Sequence, residues 1–468
     1  MLGKVFKAYD IREKYPKPLS PKLAWQIGWG TAQFLLERAE AEGHDDPMMK
    51  HVVVGRDMRT SSPELSEALQ TGIRDHGAGV IDVGLVDTPF IAFAVNYLGC
   101  CGGVQVTASH NPPAYNGFKI CTIAAKPVGM ATGLDDIRRY AAMGNQDKAT
   151  RAGGLREQRD LWDAYRRHVH RFLDPALLDG SRRVKVAIDA SNGMAGVMVP
   201  KVFGDVPGLE IVELNFTTDG TFVHEPNPLV ESNLAQVQEA TREHGAAAGI
   251  CFDGDADRCV VVDETGRTIG CDLLTAWLAE GVLAAEPGAS IVHDLRSSRA
   301  LAETVTRHGG TPVRSRVGHV FLKQRMAEHD AAFGGELSGH FYFRDNFYAD
   351  SGAIAFAMVV SRLAHERRAL SACLEPLRTG WVQSGEINFE VEDKQVAMDM
   401  LEETYAEQDA AIDHLDGVTV DCGDWWCNVR PSNTEPLLRL NLEAKTARAV
   451  EERVAEVSEI LGGERVDH

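Results

Sequence analysis

Residues 52–86 read VVVGRDMRTSSPELSEALQTGIRDHGAGVIDVGLV, and this run decides the fold of the chain. The three valines at its start, residues 52–54, predict a short buried strand. Pro63 suits the first turn of a helix that continues to about His76, and Gly77 ends that helix. Residues 80–83 (VIDV), which are apolar except for Asp82, predict a second strand. A strand, a helix and a strand in so short a run indicate a parallel β-α-β unit.

The same alternation recurs twice further along the chain. It starts again with a strand at 184–188 and closes on a strand at 248–252. A third round contains a helix at 273–285, a strand at 290–294 and a helix at 300–308. Three such rounds of roughly 100 residues predict three similar α/β domains, whose mixed sheets are covered on both faces.

The last part of the chain follows a different pattern. It contains predicted strands at 386–391, 418–420, 425–429 and 437–442, and predicted helices at 394–408 and 447–461. This order indicates a smaller α+β domain. The predicted domains span residues 1–150, 151–266, 267–380 and 381–468.

The composition narrows the range of partners. The 468 residues carry a formal charge of −20, which argues against binding to nucleic acid or to an anionic membrane. An anionic substrate therefore needs a local basic pocket. The nine cysteines include no CxxC pair, and no run of about 18 apolar residues occurs. We expect a soluble cytoplasmic protein, either a monomer or a homodimer.

The most informative motif lies at residues 105–119, which read QVTASHNPPAYNGFK. A β-prone apolar run leads into Ser109, and two prolines and a glycine hold the following turn. His110, Asn111 and Lys119 add polar groups around it. A serine on a rigid turn at a strand end is suited to be a nucleophile or a phosphate carrier. A polar loop with no chemical role is the alternative.

A second motif is the acidic run Asp253, Asp255 and Asp257, directly after an apolar strand. Three converging carboxylates repel one another unless a divalent cation lies among them. A calcium-binding EF-hand loop needs glycine where Arg258 stands, and helices where strands are predicted here. A magnesium site is therefore favoured over a solvated acidic loop. A phosphate carried by Ser109 could complete it, with the Arg258 guanidinium beside the transferring group.

Two further loops carry groups suited to a sugar phosphate. Residues 334–340 (GGELSGH) place Glu336, Ser338 and His340 between glycines, and a carboxylate binds adjacent hydroxyls well. Residues 430–436 (RPSNTEP) offer a guanidinium, hydroxyls and backbone N–H groups for an anion. A glycine-rich turn and a structural cap are the respective alternatives.

In this order, the stretches resemble the α-D-phosphohexomutase superfamily, in particular its phosphomannomutase/phosphoglucomutase branch, over essentially the whole chain. Residues 107–112 are similar to the phosphoserine loop, 253–258 to the magnesium loop, 336–340 to the sugar loop and 430–434 to the phosphate-binding loop. Residues 9–12 match the N-terminal signature. Three positions depart from the pattern: Glu13 and Ala256 stand where glycine is usual, and Arg296 stands where some members have lysine.

The resemblance implies four domains around a central cleft. It also implies reversible transfer of phosphate between O1 and O6 of a hexose phosphate, of mannose and/or glucose. The reaction would pass through phosphorylated Ser109 and a hexose 1,6-bisphosphate, which also serves as activator. Mg²⁺ would lie between Ser109 and the three aspartates, and Arg12, Lys119, Arg258 and His340 would be catalytic.

The implied substrate-binding residues come from several loops and are Tyr9, His319, Glu336, Ser338, Arg430, Ser432, Asn433 and Thr434. Three other functions remain open at this point. A phosphoglucosamine mutase shares nearly all of the chemistry, a phosphatase would let water intercept the phosphoserine, and an inactive protein would bind sugar phosphates without turnover.

Overall fold

A computed structural model of the chain describes residues 2–144, 153–432 and 437–466. The chain forms two compact units. The first contains Met1–Ile269 and Ser338–Leu370, and the second contains Gly270–Leu337 and Ser371–His468. Among the described residues, no helix is both long and apolar enough to cross a membrane.

The first part of the chain builds a six-stranded mixed sheet flanked by helices. Its strands are β1 (Ile11–Lys14), β2 (His51–Arg56), β3 (Gly79–Leu85), β4 (Gly102–Val106), β5 (Tyr115–Thr122) and β6 (Arg156–Gln158), in the order β1-β5-β4-β2-β3-β6. Its helices are α1 (Leu2–Val5), α2 (Pro21–Ala41), α3 (Ser62–His76), α4 (Thr88–Leu98) and α5 (Leu134–Met143).

The β-α-β unit predicted for residues 52–86 is confirmed. Strand β2 pairs in parallel with β3, and Val52 lies opposite Val80. Helix α3 has its proline in the first turn, and Gly77 follows its last residue with a φ of 114°, a left-handed value that glycine adopts without strain.

The next part of the chain builds a four-stranded mixed sheet. Its strands are β7 (Val184–Asp189), β8 (Leu209–Leu214), β9 (Ala248–Phe252) and β10 (Cys259–Asp263), and its helices are α6 (Trp162–His170), α7 (Pro175–Leu178), α8 (Ala195–Phe203) and α9 (Ala235–Glu243). The order is β10-β9-β7-β8, with β10 antiparallel to β9. The sharp reversal between β9 and β10 is where the acidic run lies.

The third part of the chain is divided between the two units. Its strands are β11 (Ser290–Asp294), β12 (Thr311–Ser315), β13 (Phe333–Gly335), β14 (Phe341–Phe343) and β15 (Ala349–Asp350), and its helices are α10 (Cys271–Ala285), α11 (Arg299–Arg307), α12 (His319–Glu328), α13 (Gly352–His365) and α14 (Leu370–Arg378). In the second unit β11 pairs in parallel with β12 and β13. The antiparallel pair β14–β15 belongs to the first unit.

The last part of the chain is an antiparallel sheet covered by two helices. Its strands are β16 (Val382–Glu390), β17 (Ala411–Asp413), β18 (Val418–Asp421), β19 (Trp425–Pro431), β20 (Leu438–Ala444) and β21 (Glu464–Val466), in the order β17-β18-β19-β20-β16-β21. Its helices are α15 (Lys394–Ala406) and α16 (Ala447–Leu461). The edge strands β17 and β21 were not predicted, because three residues are too few to show a period.

These sheets confirm the predicted fold class of three mixed α/β domains followed by an α+β domain. The predicted helix at 394–408 ends earlier, at Ala406. Asp409 has a φ of 59°, so the chain reverses there and enters β17. Single 3₁₀ turns occupy Pro47–Lys50, Ile123–Ala125, Met130–Thr132, Glu231–Leu234 and Arg344–Asn346.

A buried carboxyl group lies in the interior of the first unit. Asp87 precedes helix α4 and is fully buried, and it accepts a hydrogen bond from the Tyr165 hydroxyl of α6 at 2.8 Å. Burial raises the pKa of Asp87 to about 7, and the Tyr165 hydrogen bond only partly opposes this rise. An unfolded aspartate titrates near 3.9. The folded state therefore favours the protonated form.

We predict that Asp87 makes stability depend on pH. Its contribution should be fully present below about pH 4 and should be lost as the pH rises through about 7, because ionisation becomes costly in the folded state. The thermal unfolding midpoint of the wild type should therefore fall over this range relative to Asp87→Asn, which cannot ionise. A constant difference between the two proteins from pH 4 to pH 8 would contradict the assignment.

Candidate active site

Ser109 follows strand β4 on a tight turn. Its φ is 50°, a left-handed value that few non-glycine residues adopt, and its side chain is almost completely buried. Its N–H donates to Thr107 Oγ1 at 2.9 Å. Its hydroxyl donates to Asp253 Oδ2 at 2.9 Å and lies 3.3 Å from His110 Nδ1. The turn therefore directs this hydroxyl at the acidic run.

The buried guanidinium of Arg59 holds the serine loop in this shape. Its terminal nitrogens donate to four backbone oxygens, those of Ser109, Asn111, Pro112 and Tyr115, at 2.7, 2.6, 2.9 and 3.1 Å. Its Nε donates to Asp57 Oδ2 at 3.1 Å, and both side chains are excluded from solvent. Sequence reasoning missed this arginine. The sequence signal that could have identified it is the Asp57-x-Arg59 run, which directly follows the buried strand β2.

The three aspartates of the acidic run converge as predicted. Each of Asp253, Asp255 and Asp257 is buried and offers a carboxylate oxygen, and the three oxygens lie within 4.8 Å of one another. The run lies between strands β9 and β10, so the flanks are those of a hairpin and not of an EF-hand. Ala256 occupies the left-handed position, with a φ of 58°, where the family pattern often has glycine.

Gly254 explains how the two loops approach so closely. A Cβ atom added at this glycine would lie 2.4 Å from the carbonyl oxygen of Ser109, which no side chain could accept. The acidic run and the serine loop therefore contact each other backbone to backbone. Thr88 of α4 also contacts the acidic run, because its hydroxyl donates to Asp255 Oδ2 at 2.5 Å.

Lys119 compensates part of the negative charge of the cluster. It lies on β5, and its Nζ is 2.8 Å from Asp255 Oδ2 and 2.6 Å from Asp257 Oδ2. Burial opposes its charged form, but the charges of Asp255 and Asp257 outweigh burial and raise the pKa of Lys119. Burial tends to raise the pKa of Asp255, and the contacts with Lys119 and Thr88 reverse that effect and lower it.

The pKa of Asp253 shifts in the opposite direction from that of Asp255. Burial, followed by repulsion from Asp257 and Asp255, raises the pKa of Asp253 well above its usual range. In addition, Oδ1 of both Asp255 and Asp257 is buried without a hydrogen-bond partner in the part of the chain that the structure describes. Unsatisfied, mutually repelling carboxylate oxygens are the donor set that a hard divalent cation takes. The residues present therefore fit a magnesium ion.

Arg258 and His340 lie against the cluster on the side of strand β14. Arg258 Nε donates to His340 Nε2 at 3.2 Å. The other ring nitrogen of His340 lies 2.8 Å from Asp350 Oδ2 and 3.7 Å from Asp257 Oδ1. Burial disfavours the imidazolium, but the carboxylates of Asp257 and Asp350 outweigh it and raise the pKa of His340. Sequence reasoning did not anticipate Asp350.

Arg12 reaches the serine loop from strand β1. Its Nη1 donates to Asn111 Oδ1 at 2.5 Å, and its Nε donates to Asp10 Oδ2 at 3.0 Å. The first unit therefore brings together eight of the predicted positions, which are Arg12, Ser109, Lys119, Asp253, Asp255, Asp257, Arg258 and His340.

A second group of predicted residues lies in the other unit. Arg430 of β19 is buried and lies opposite Arg439 of β20. Glu336 follows β13, and its Oε1 is 3.9 Å from Arg296 Nη2. Arg296 is also held by Asp294, whose two carboxylate oxygens accept from its Nε and Nη2 at 3.1 and 3.0 Å.

The remaining predicted positions are scattered. The predicted sugar loop is divided between the two units. Glu336 belongs to the second unit, which contains Gly270–Leu337, and Ser338 belongs to the first, which contains Ser338–Leu370. Tyr9 precedes β1, His319 is the first residue of α12, and the Ser432 N–H donates to the Leu437 carbonyl at 2.8 Å. Asn433 and Thr434 lie outside the described residues.

Four family models for phosphoglucomutase/phosphomannomutase match the chain in sequence. The α/β/α domains I, II and III match residues 3–144, 163–266 and 271–379, and the C-terminal domain matches residues 386–460. The chain belongs to the phosphoglucomutase/phosphomannomutase family. The resemblance drawn from the motifs is thereby confirmed.

The chain is similar to relatives that carry the names of mutases. It is 39% identical over 460 residues to a protein of Xanthomonas campestris pv. campestris (strain B100) named phosphohexose mutases, with 98% of this chain and 99% of that protein covered. It is 38% identical over 446 residues to a phosphomannomutase of Salmonella typhimurium (strain LT2), with 94% of each covered. The chain is therefore a phosphohexose mutase, an isomerase.

The fold agrees with this membership. The crystal structure of a phosphoglucomutase/phosphomannomutase family protein from Burkholderia thailandensis superimposes with a TM-score of 0.86. The two share 32% sequence identity, and the match covers 98% of each chain.

We predict that Arg59→Lys lowers kcat of the mutase about 10- to 100-fold with little change in KM. A lysine keeps the charge opposite Asp57 but cannot donate to four carbonyls in a planar arrangement, so the Ser109 hydroxyl should lose its orientation. Steady-state kinetics measures the effect. Arg38→Lys, on a half-exposed arginine paired with Glu42, is the control. A kcat for Arg59→Lys equal to that of the control would contradict the role.

Proposed function

We propose that this family member moves phosphate reversibly between O1 and O6 of a hexose phosphate through a phosphoserine at Ser109. The observation that carries the proposal is the approach of the Ser109 hydroxyl to Asp253 inside the carboxylate cluster, with Lys119 beside it. In the forward step the bond between Ser109 Oγ and phosphorus breaks, and a bond from the free sugar hydroxyl to phosphorus forms. The product of this step is a hexose 1,6-bisphosphate.

The second half of the reaction is the reverse transfer from the other end of the sugar. The bisphosphate turns over, and its original phosphate returns to Ser109, so the enzyme regains its phosphoryl group. Added hexose 1,6-bisphosphate should accordingly activate protein that has lost it. A closed site protects a phosphoserine from water, which would otherwise hydrolyse it.

Asp253, Asp255 and Asp257, with an oxygen of phosphorylated Ser109, are the proposed ligands of Mg²⁺. The unsatisfied oxygens of Asp255 and Asp257 support this assignment. When bound, the ion supplies positive charge where negative charge develops during phosphoryl transfer. Lys119 and Arg258 contribute further positive charge at the same place, and Arg12 contributes from the edge of the serine loop.

His340 is the proposed general base for the sugar hydroxyl. Its Nδ1 faces Asp350, which keeps the proton on that nitrogen, so Nε2 is the unprotonated nitrogen of the ring. Nε2 accepts from Arg258 Nε in this structure, and it can take the hydroxyl proton when Arg258 turns toward the transferring phosphoryl group. Lys119 is a poorer base, since its contacts with Asp255 and Asp257 raise its pKa and keep it protonated. When the second transfer reverses these roles, His340 returns a proton to the oxygen that leaves.

The groups proposed to bind the sugar are Glu336 and Ser338, which suit the hydroxyls O3 and O4. Arg430, with Ser432, Asn433 and Thr434, is proposed to bind the phosphate that is not reacting, and Tyr9 and His319 are further proposed contacts. O3 and O4 take equivalent places when the sugar is turned around, so one set of contacts serves both orientations. Arg430 is buried, which strengthens a charge-assisted contact to phosphate.

Mannose and glucose phosphates are the proposed substrates. The relatives named phosphomannomutase support mannose, and the wider family name includes glucose. Comparing kcat/KM for mannose 1-phosphate, glucose 1-phosphate and glucosamine 1-phosphate identifies the preferred sugar. A clear preference for glucosamine 1-phosphate would replace this proposal with a phosphoglucosamine mutase.

We predict that active protein carries one phosphoryl group on Ser109 and that Ser109→Ala loses nearly all turnover. Intact mass and peptide mapping detect the phosphate, and a coupled assay measures turnover. Thr107→Ser is a suitable control, because it keeps the hydroxyl that accepts from the Ser109 N–H. Near-normal turnover by folded Ser109→Ala would refute the phosphoserine mechanism.

We also predict that Asp255→Asn weakens magnesium binding and lowers kcat by at least about 100-fold, with a much smaller change in KM. The reason is that one charged ligand is lost while the sugar contacts remain. Magnesium titrations of activity measure both effects. Asp219→Asn, at an exposed carboxylate bonded to Thr221, is the control. Full activity of the wild type in excess chelator would contradict a metal-dependent reaction.

A further inference from the structure

Three guanidinium groups of the second unit converge on one carboxylate, that of Glu386 on strand β16. Arg430 Nη2 lies 2.9 Å from Glu386 Oε2, and Arg296 Nη1 lies 3.4 Å from the same oxygen. Arg439 Nη1 lies 3.2 Å from Glu386 Oε1. No motif in the sequence analysis singled out this glutamate. It makes the contacts that a phosphate oxygen would make with these arginines.

The carboxylate is the more accessible partner in this cluster. The side chain of Glu386 is 28% exposed, whereas that of Arg430 is 3% exposed. Arg430 Nε is buried and donates no hydrogen bond to any described residue. The arginine thus keeps an unused donor while one of its terminal nitrogens is occupied by Glu386. A tetrahedral anion with more oxygens than a carboxylate could use both donors.

The charges of the cluster balance without any bound anion. Arg296, Arg430 and Arg439 face three carboxylates, those of Glu386, Glu336 and Asp294. Burial opposes ionisation of Glu386, but the three arginines outweigh burial and lower its pKa, so it is charged at neutral pH. A phosphate dianion added beside this carboxylate would be repelled, because like charges at such distances are strongly unfavourable.

The backbone next to Glu386 is irregular. The pairing of β16 with β20 shifts register between Gln383 and Glu386, and Gly385 has a φ of 72°. A bulge of this kind redirects a side chain and interrupts the ladder that would otherwise fix it. Glu386 is the first residue after this irregularity, and there the regular pairing with β20 resumes opposite Asn441.

We propose that Glu386 is an internal competitor for phosphate, which occupies the arginine cluster between turnovers and is displaced when a sugar phosphate binds. This rests on the proposed function, in which Arg430 binds the non-reacting phosphate. The competitor lowers the affinity for both substrate isomers alike. It also eases release of the bound phosphate of the 1,6-bisphosphate, because Glu386 re-enters as the phosphate leaves, and the intermediate must release this end in order to turn around.

Glu386→Gln provides the test, since it removes the charge and keeps the size. The probe is inorganic phosphate, titrated by calorimetry at fixed ionic strength with a chelator present. The apparent affinity of a site that is open only part of the time falls by that fraction, so we expect Glu386→Gln to bind phosphate about 10- to 100-fold more tightly than the wild type. Glu443→Gln is the matched control, because Glu443 is a buried carboxylate that accepts from Trp426 Nε1 at 2.7 Å.

Two further variants make the outcome decisive. Arg430→Ala should abolish the phosphate binding that Glu386→Gln strengthens. Glu386→Asp keeps the charge with a shorter reach, so it should bind phosphate with intermediate affinity, and it serves if Glu386→Gln does not fold. Phosphate affinity that is equal in the wild type, Glu386→Gln and Glu386→Asp, but lost in Arg430→Ala, overturns the proposed competition and keeps the proposed binding of phosphate by Arg430. Unchanged affinity in Arg430→Ala overturns the binding of phosphate by Arg430 itself.

Discussion

Repulsion among three buried carboxylates is the constraint on which the rest of the site depends. Asp253, Asp255 and Asp257 present oxygens within 4.8 Å of one another, away from solvent. Buried like charges at such distances persist only when opposite charge compensates them. Lys119 supplies one positive charge, and two carboxylate oxygens remain without a hydrogen bond in the described chain. This donor set fits a divalent cation, which is the basis of the proposed magnesium site.

Other features hold this unfavourable arrangement in place. Arg59 fixes the serine loop through four backbone carbonyls, and Gly254 lets the acidic run touch that loop. His340 is held from a different strand by Asp350. In the second unit the crowded charges are positive, because three guanidiniums lie close together, and the carboxylates of Glu386, Glu336 and Asp294 compensate them. In each unit, charged side chains of opposite sign therefore compensate a cluster of like charges.

The sequence predicted what is local along the chain. The strand and helix alternation follows from short apolar periods, and the Ser109 turn and the Asp253–Asp257 run lie within single loops. That the two loops meet was inferred from the chemistry of the carboxylates, which need a cation and a phosphate oxygen, and the family resemblance supported it. Arg59, Asp350 and Glu386 could not be predicted in the same way, because each acts on residues far away in sequence. Arg59 looks like an ordinary charged residue until its side chain is seen to turn inward toward Ser109.

The most direct test of the account follows a labelled phosphoryl group through one turnover. The protein is first phosphorylated from radiolabelled hexose 1,6-bisphosphate, freed of excess label, and mixed with unlabelled hexose 1-phosphate in a rapid-quench instrument. The account predicts that label leaves Ser109, appears first in the bisphosphate and then at O6 of the hexose 6-phosphate. Label released as inorganic phosphate, or product formed while the label stays on the protein, would contradict it.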